Sequence, residues 1–232
     1  LSRGGDFAEL FFEYRLHHSI LIEEQIIKET AESVGLGLGI RVWSGDQTGF
    51  GYTNDLSPER MKKAARSAAA IAVAGGTPSP PAAFVSRSPL AGLYPVAEPA
   101  VSADLGRKIA LVREAYEAAL AVSPAIKKAK AAWGDYVQHI LIANSEGLIV
   151  SDVRPMVKLT CTAIAEKGAV REYGFSGGGG RTGLEVFVSV RTPAEIGREA
   201  AEEALLLLEA ADAPAGEMPV VLAAGEAGVL IH

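Results

Sequence analysis

Residues 7–16 read FAELFFEYRL, and the fold class turns on how they are read. Ala8, Leu10, Phe12, Tyr14 and Leu16 alternate with Glu9, Glu13 and Arg15, so the apolar positions share one side of an extended chain. That period of two is the mark of a half-buried strand. Working outward, SILIEEQIIKET (19–30) reads as a hairpin that turns near Glu23 and Glu24. GLGLGIRVW (35–43) alternates again through Leu36, Leu38, Ile40 and Val42, and GDQ turns the chain into a further short strand, TGFGYT (48–53). A helix follows, with Ser57 placed as N-cap and Pro58 in the first helical position. It is expected to run to about Ala74 and to end at Gly75 and Gly76.

Six prolines are scattered through residues 77–103, too many for regular structure, so this stretch reads as a connector. A second helix opens near Ala103, where Leu105, Ile109, Val112, Tyr116 and Leu120 form one apolar stripe. Strands are then expected at YVQHILIAN, LIVSDV, VKLTCTAIA and VREYGFS, with turns at Ser145-Glu146-Gly147 and Glu166-Lys167-Gly168. GGGGR interrupts before a further strand, LEVFVSV (184–190). Thr192 and Glu195 make a capping box with Pro193 between them, starting a helix expected to end near Ala211. Pro214, Gly216 and Pro219 mark a last boundary, after which VVLAA (220–224) reads as the first strand of something new.

The expected class is α+β: two α/β-layer domains with mainly antiparallel sheets, at 1–76 and 104–212, joined by the connector 77–103. Residues 213–232 would begin a C-terminal domain that the chain does not complete.

Composition narrows the function classes. The formal net charge is −6 and no lysine- or arginine-rich tract is present, which argues against nucleic acid as a direct partner. Cys161 is the only cysteine, so no intrachain disulfide forms. The longest apolar runs fall well short of the roughly 20 residues of a membrane span. With no signal peptide ahead of the first strand, a cytoplasmic protein is expected.

Few side chains suggest chemistry. The glycines of GLGLGI alternate along a strand instead of opening a helix, so they point to close packing and not to a dinucleotide loop. Gly177, Gly178, Gly179 and Gly180 would be costly to order, which leaves two readings. They are a loose hairpin tip, or a flap that orders over a ligand with Arg181 beside it to meet a carboxylate or carbonyl. His17 and His18 are adjacent on a strand and point to opposite faces, so they do not grip one metal together. His139 reads as a strand residue satisfied in the core or at an edge. Cys161 reads as a buried small hydrophobe with no histidine near it in sequence. Glu195, Glu199, Glu202 and Glu203 read as a solvated helix face.

Several stretches together resemble the TldD/PmbA family of metallopeptidases, in that family's order. They are FAELFFEYRLHHSILIEEQIIKE, GLGIRVWSGDQTGFGYTNDLSPE, RPMVKLTCTAI, SGGGGR and APAGEMPVVLAAGEAGVLIH, nearly the whole chain. In the TldD-type branch the segment resembling GEAGVLIH continues as a helix bearing HExxxH, whose two histidines hold zinc and whose glutamate acts as general base on the bound water. His232 matches the first of those histidines. The glutamate, the second histidine and a cysteine ligand would lie beyond it, so Cys161 is not given that role.

The resemblance implies a cytoplasmic zinc peptidase acting on unfolded or flexible peptides, paired with a PmbA-type subunit. Family roles include maturation of a peptide antibiotic and degradation of an antitoxin, and an older name is modulator of DNA gyrase. The residues present would form an inactive N-terminal part of such an enzyme. The competing readings are a non-catalytic assembly subunit that walls a substrate chamber, or a gyrase-interacting regulator. Exposed strand edges could also add a peptide strand by main-chain pairing.

Overall fold

A computed structural model describes residues 5–72, 83, 85–87, 94, 96, 98–223, 225, 228, 229 and 232. The chain begins with β1 (Phe7–Glu23), β2 (Ile26–Ser44), β3 (Gln47–Thr53) and α1 (Pro58–Ala72). After β4 (Val85–Arg87) and a 3-10 turn at Ala100–Ser102 come α2 (Leu105–Ala121), β5 (Ile126–Asn144), β6 (Leu148–Lys167) and β7 (Val170–Gly180). A single-turn helix α3 (Val186–Ser189) and α4 (Pro193–Leu207) follow.

The fold is α+β. Among the described residues the strands make one seven-stranded sheet in the order β3-β2-β1-β5-β6-β4, with β7 also paired to β6. Every pairing is antiparallel except β4 on β6. The strands of the two expected units are therefore joined edge to edge, since β1 pairs β5 from Glu9↔Asn144 to Glu23↔Lys130.

The helices lie on one face of this sheet, in two groups with separate cores. Leu38, Ile40 and Val42 of β2 pack against Ala64, Ala68 and Ala72 of α1. The larger core gathers Val112 and Tyr116 of α2, Leu159 and Cys161 of β6, and Ile196 and Ala200 of α4. Small residues let α1 come close: a Cβ added at Gly49 of β3 would stand 1.9 Å from the Ala68 carbonyl oxygen. The opposite face of the sheet carries no helix among the described residues.

The hairpin expected near Glu23 and Glu24 turns at Glu24 and Gln25, whose φ of 53° and 63° are left-handed. Such a pair suits the tight antiparallel turn, though glycine or asparagine usually supplies it. Here Tyr116 of α2 holds it, its hydroxyl accepting from the Gln25 amide at 2.9 Å.

Several expectations are corrected. LIVSDV and VKLTCTAIA are one continuous strand, β6, running through Pro155. Proline is tolerated there because β4 pairs only Leu148–Val150 and β7 pairs from Val157 onward. Between those segments β5 is the neighbour of β6. β5 starts ten residues before YVQHILIAN, at Ile126, because Ala129, Ala131 and Trp133 alternate inward among charged residues. The strand expected over LEVFVSV is the short helix α3 instead. Val186 and Phe187 are buried while Val188 and Val190 are exposed, and adjacent buried residues cannot share one face of a strand. The break expected at GGGGR is also absent, because Gly177–Gly180 are the last residues of β7 and pair with Val157–Thr160. Helix α4 stops at Leu207, before Ala211, while its capping box forms as expected: Thr192 Oγ1 accepts from Glu195 N at 3.2 Å, and Glu195 Oε2 accepts from Thr192 N at 2.8 Å. The end of α1 near Ala74–Gly76 and most of the connector lie outside the described residues.

Candidate functional site

The C-terminal segment departs from expectation. Residues 220–223 of VVLAA have no regular structure, with Val220 and Val221 exposed, so the expected strand does not form. A lone strand needs a partner for its backbone groups, and none is paired with it among the described residues. Gly228 and Val229 are helical, and His232 N donates to the Gly228 carbonyl at 3.1 Å, the spacing of an α-helical turn. The His232 side chain is exposed.

Among the described residues no three of His, Cys, Asp and Glu stand together as a metal site. Cys161 is fully buried, and burial pushes its thiol up to about 12. His139 lies against the Tyr14 ring at 5.9 Å. The described residues thus offer two exposed imidazoles, His139 on β5 and His232, which do not by themselves fit a zinc centre, since that takes three or four protein ligands.

The glycine strand is held at several points. Arg191 Nη1 donates to the Gly177 carbonyl at 2.6 Å, and its Nη2 donates to Ser176 Oγ at 2.9 Å. Arg191 also pairs with Glu199, whose carboxylate accepts from Ser176 Oγ at 3.0 Å. Glu203 accepts from the Phe175 amide at 2.6 Å. Two of the glutamates read as a solvated face are therefore tied to β7. Small size is required as well, since a Cβ at Gly179 would fall 2.1 Å from the Val157 carbonyl oxygen, with φ at +145°. Arg181, just past the strand, sits over the Tyr94 ring at 5.1 Å.

One polar cluster went unseen in the sequence. Asp135 of β5, fully buried, accepts from Lys108 Nζ at 2.8 Å and from Trp133 Nε1 at 2.6 Å on one carboxylate oxygen. Its other oxygen is 2.8 Å from His18 Nδ1, and His18 Nε2 is 3.1 Å from Glu32. A cavity of about 440 Å³, lined in part by His18, Glu32 and Lys108, lies alongside. No hydroxyl or thiol nucleophile is bonded into this cluster among the described residues, and Ser19 is bonded to Glu29 instead. Its effect is to fasten α2 to β1, β2 and β5. The signal was present but faint: Lys108 precedes Val112 by four on the buried stripe of α2, and Asp135 follows Trp133 by two on β5.

Glu185, beside α3, is partly buried, which raises its proton affinity, but hydrogen bonds outweigh this and hold its carboxyl down at about 2. It accepts from Thr182 Oγ1 at 2.8 Å, Gly183 N at 3.1 Å and Glu98 N at 3.3 Å.

Residues 8–72 match the family model described as PmbA/TldA metallopeptidase domain 1, and residues 98–208 match that of the PmbA/TldA metallopeptidase central domain. The chain is 35% identical over 236 residues to a metalloprotease TldD homolog of Haemophilus influenzae, covering 99% of this chain and 48% of that protein. A metalloprotease TldD homolog of Buchnera aphidicola is 30% identical over 237 residues, covering 100% of this chain and 49% of that protein. The chain thus spans about half the length of the curated relatives it matches. Among solved structures, a proposed modulator of a DNA gyrase from Thermotoga maritima superposes with a TM-score of 0.67 at 21% identity, over 90% of this chain and 46% of that one. TldE from Thermococcus kodakarensis gives 0.62 at 19% identity, over 87% and 44%. These structural likenesses establish the shared fold.

Proposed function

Because the chain belongs to the PmbA/TldD metallopeptidase family, we propose that it is the N-terminal part of a TldD-type zinc peptidase that cleaves unfolded or flexible peptides. The observation that carries this reading is His232: an exposed imidazole on a terminal helical turn, in a chain that aligns over 99% of its length with 48% of a metalloprotease TldD homolog. His232 would hold the metal together with ligands supplied by the rest of the parent protein. Zinc, once bound, supplies Lewis acidity toward water and the scissile carbonyl. The described residues do not complete that site, so we assign no catalytic step to them and expect the 232-residue chain to be inactive alone.

The expected partner is a PmbA-type homologous subunit, a reading supported by the shared fold with TldE. The net charge of −6 supports a role without direct nucleic-acid contact. Among the described residues no helix is long and apolar enough to cross a membrane, which accords with a cytoplasmic enzyme. We take residues 1–76 and 104–212 as two sequence units joined by 77–103, with 213–232 opening the metal-binding part.

The test is cleavage of a fluorogenic unstructured peptide by three preparations: the full-length parent with its PmbA-type partner, the parent alone, and the 232-residue chain. Cleavage that requires the parent is expected. Cleavage by the 232-residue chain at the parent's rate would overturn the reading. A non-catalytic assembly subunit is the competing reading. The codons after His232 separate the two: Glu at the next position and His four positions beyond that Glu, completing HExxxH, supports the enzyme, and a stop supports the assembly subunit.

A further inference from the structure

The helix-free face of the sheet holds a trough. Gly35, Gly37 and Gly39 of β2 point to this face, across from Arg15 and Phe11 of β1 on one side and Phe50 and Tyr52 of β3 on the other. Glycine at three alternate positions strips one strand of side chains over about 14 Å, at roughly 3.4 Å per residue. The two rings lean over this floor. A Cβ at Gly37 would meet Tyr52 Oη at 2.5 Å, and one at Gly39 would meet Phe50 Cε2 at 3.3 Å. The enclosed space is about 560 Å³, and Phe50 and Tyr52 remain 54% and 63% exposed along its rim. That volume lies within the range of about 300–1,000 Å³ usual for ligand pockets.

The charges along the trough are not equally engaged. Glu9 and Arg41 are register partners of opposite charge, and the Arg41 guanidinium lies 5.5 Å from the Trp43 ring. Glu13 accepts from Gln138 Nε2 at 2.8 Å. Arg15 is different: its guanidinium carbon lies 3.8 Å from the centroid of the Tyr136 ring, which fixes its plane. Its Nε is buried and has no hydrogen-bond partner among the described residues. A buried donor left without an acceptor is costly, so an acceptor brought to it is favoured. A planar guanidinium stacked on a ring is shaped for a carboxylate. Glu9 and Glu13 on the same wall disfavour polyanions such as nucleic acid.

We propose that this trough binds a short extended peptide ending in a free carboxylate, with the carboxylate on Arg15 and apolar side chains against Phe50 and Tyr52. The choice of a peptide rests on the peptidase reading above, while the site itself is independent of the metal. Binding here is by side chains on the sheet face, so it differs from strand addition at an edge. It separates holding of a peptide from its cleavage and makes a newly formed C-terminus the group recognised.

The test uses the 232-residue chain and an N-terminally fluorescein-labelled tetrapeptide of alternating alanine and leucine, with a free C-terminus or as its C-terminal amide. Fluorescence anisotropy is expected to show the carboxylate form binding at least ten-fold more tightly. Arg15→Gln should abolish that preference, and Gly37→Val, whose added Cβ meets the outer end of the exposed Tyr52 side chain, should weaken both peptides at least ten-fold. Equal affinity for the two peptides on the unaltered chain would overturn the proposal, as would no binding of either. Peptide preference without cleavage by the full-length parent would count against the zinc reading alone. Cleavage with equal affinities would count against the trough alone.

Discussion

Lys108 Nζ stands 2.8 Å from Asp135 Oδ2, with the two side chains 3% and 0% exposed. The pair sits where the two sequence units share the sheet, because β5 pairs β1 and α2 covers both. Removing the ammonium would leave a carboxylate closed off from water. Lys108→Met is therefore expected to destabilise the chain by about 3–5 kcal/mol, read from the urea midpoint. Lys108→Met combined with Asp135→Leu should recover part of that loss, since two charges are costlier to separate than to remove together. A single-variant loss below about 1 kcal/mol would show that water reaches the pair.

Gly179 decides between an ordered ladder and a loose tip. Its φ of +145° and the 2.1 Å approach to the Val157 carbonyl oxygen leave no room for a methyl group. Gly179→Ala is expected to cost more than about 2 kcal/mol, through backbone strain and the displaced ladder. At Gly180 the nearest atom to an added Cβ is Thr182 Cγ2 at 3.9 Å, so Gly180→Ala should cost less than about 1 kcal/mol. Equal, small losses at both positions would show that the ladder is loosely packed there.

Glu185 predicts an acid limb in the stability curve. Its carboxyl is held at about 2, below the ordinary 4.5, because the bonds from Thr182, Gly183 and Glu98 outweigh the effect of burial. A group depressed in the folded state stabilises at pH values above its unfolded pKa. Its contribution is lost as pH falls from about 4.5 toward about 2. Thermal midpoints of the unaltered chain should fall through that window more steeply than those of Glu185→Gln. Parallel curves would remove Glu185 from the account.

What the sequence made legible follows from how local each signal is. The alternation in FAELFFEYRL, the capping box at Thr192 and Glu195, and the turns at Gly45, Gly147 and Gly168 are written within a few residues, and all appear in the structure. The pairing of β1 with β5 joins residues more than a hundred positions apart, and no local pattern carries that register. The early start of β5 was hidden by its lysines and alanines, whose inward half is visible only once α2 and α4 are in place. Val186 and Phe187 favour strands by propensity, yet the short helix wins because both bury on one turn. The polar cluster at Asp135 depends on four elements meeting, so only its individual members were readable in advance. His232, by contrast, drew its meaning from family likeness, since no group of three metal-ligating side chains includes it among the described residues.

The proposed peptidase depends on His232 being a metal ligand of the full-length parent. The direct measurement is zinc content per chain of the purified full-length protein and of its His232→Ala variant, with circular dichroism to show that both are folded. About one zinc per chain is expected in the parent and loss of that zinc in the variant, because a catalytic site with three protein ligands does not retain its ion on two. Zinc held at the parental stoichiometry by a folded His232→Ala protein would contradict it.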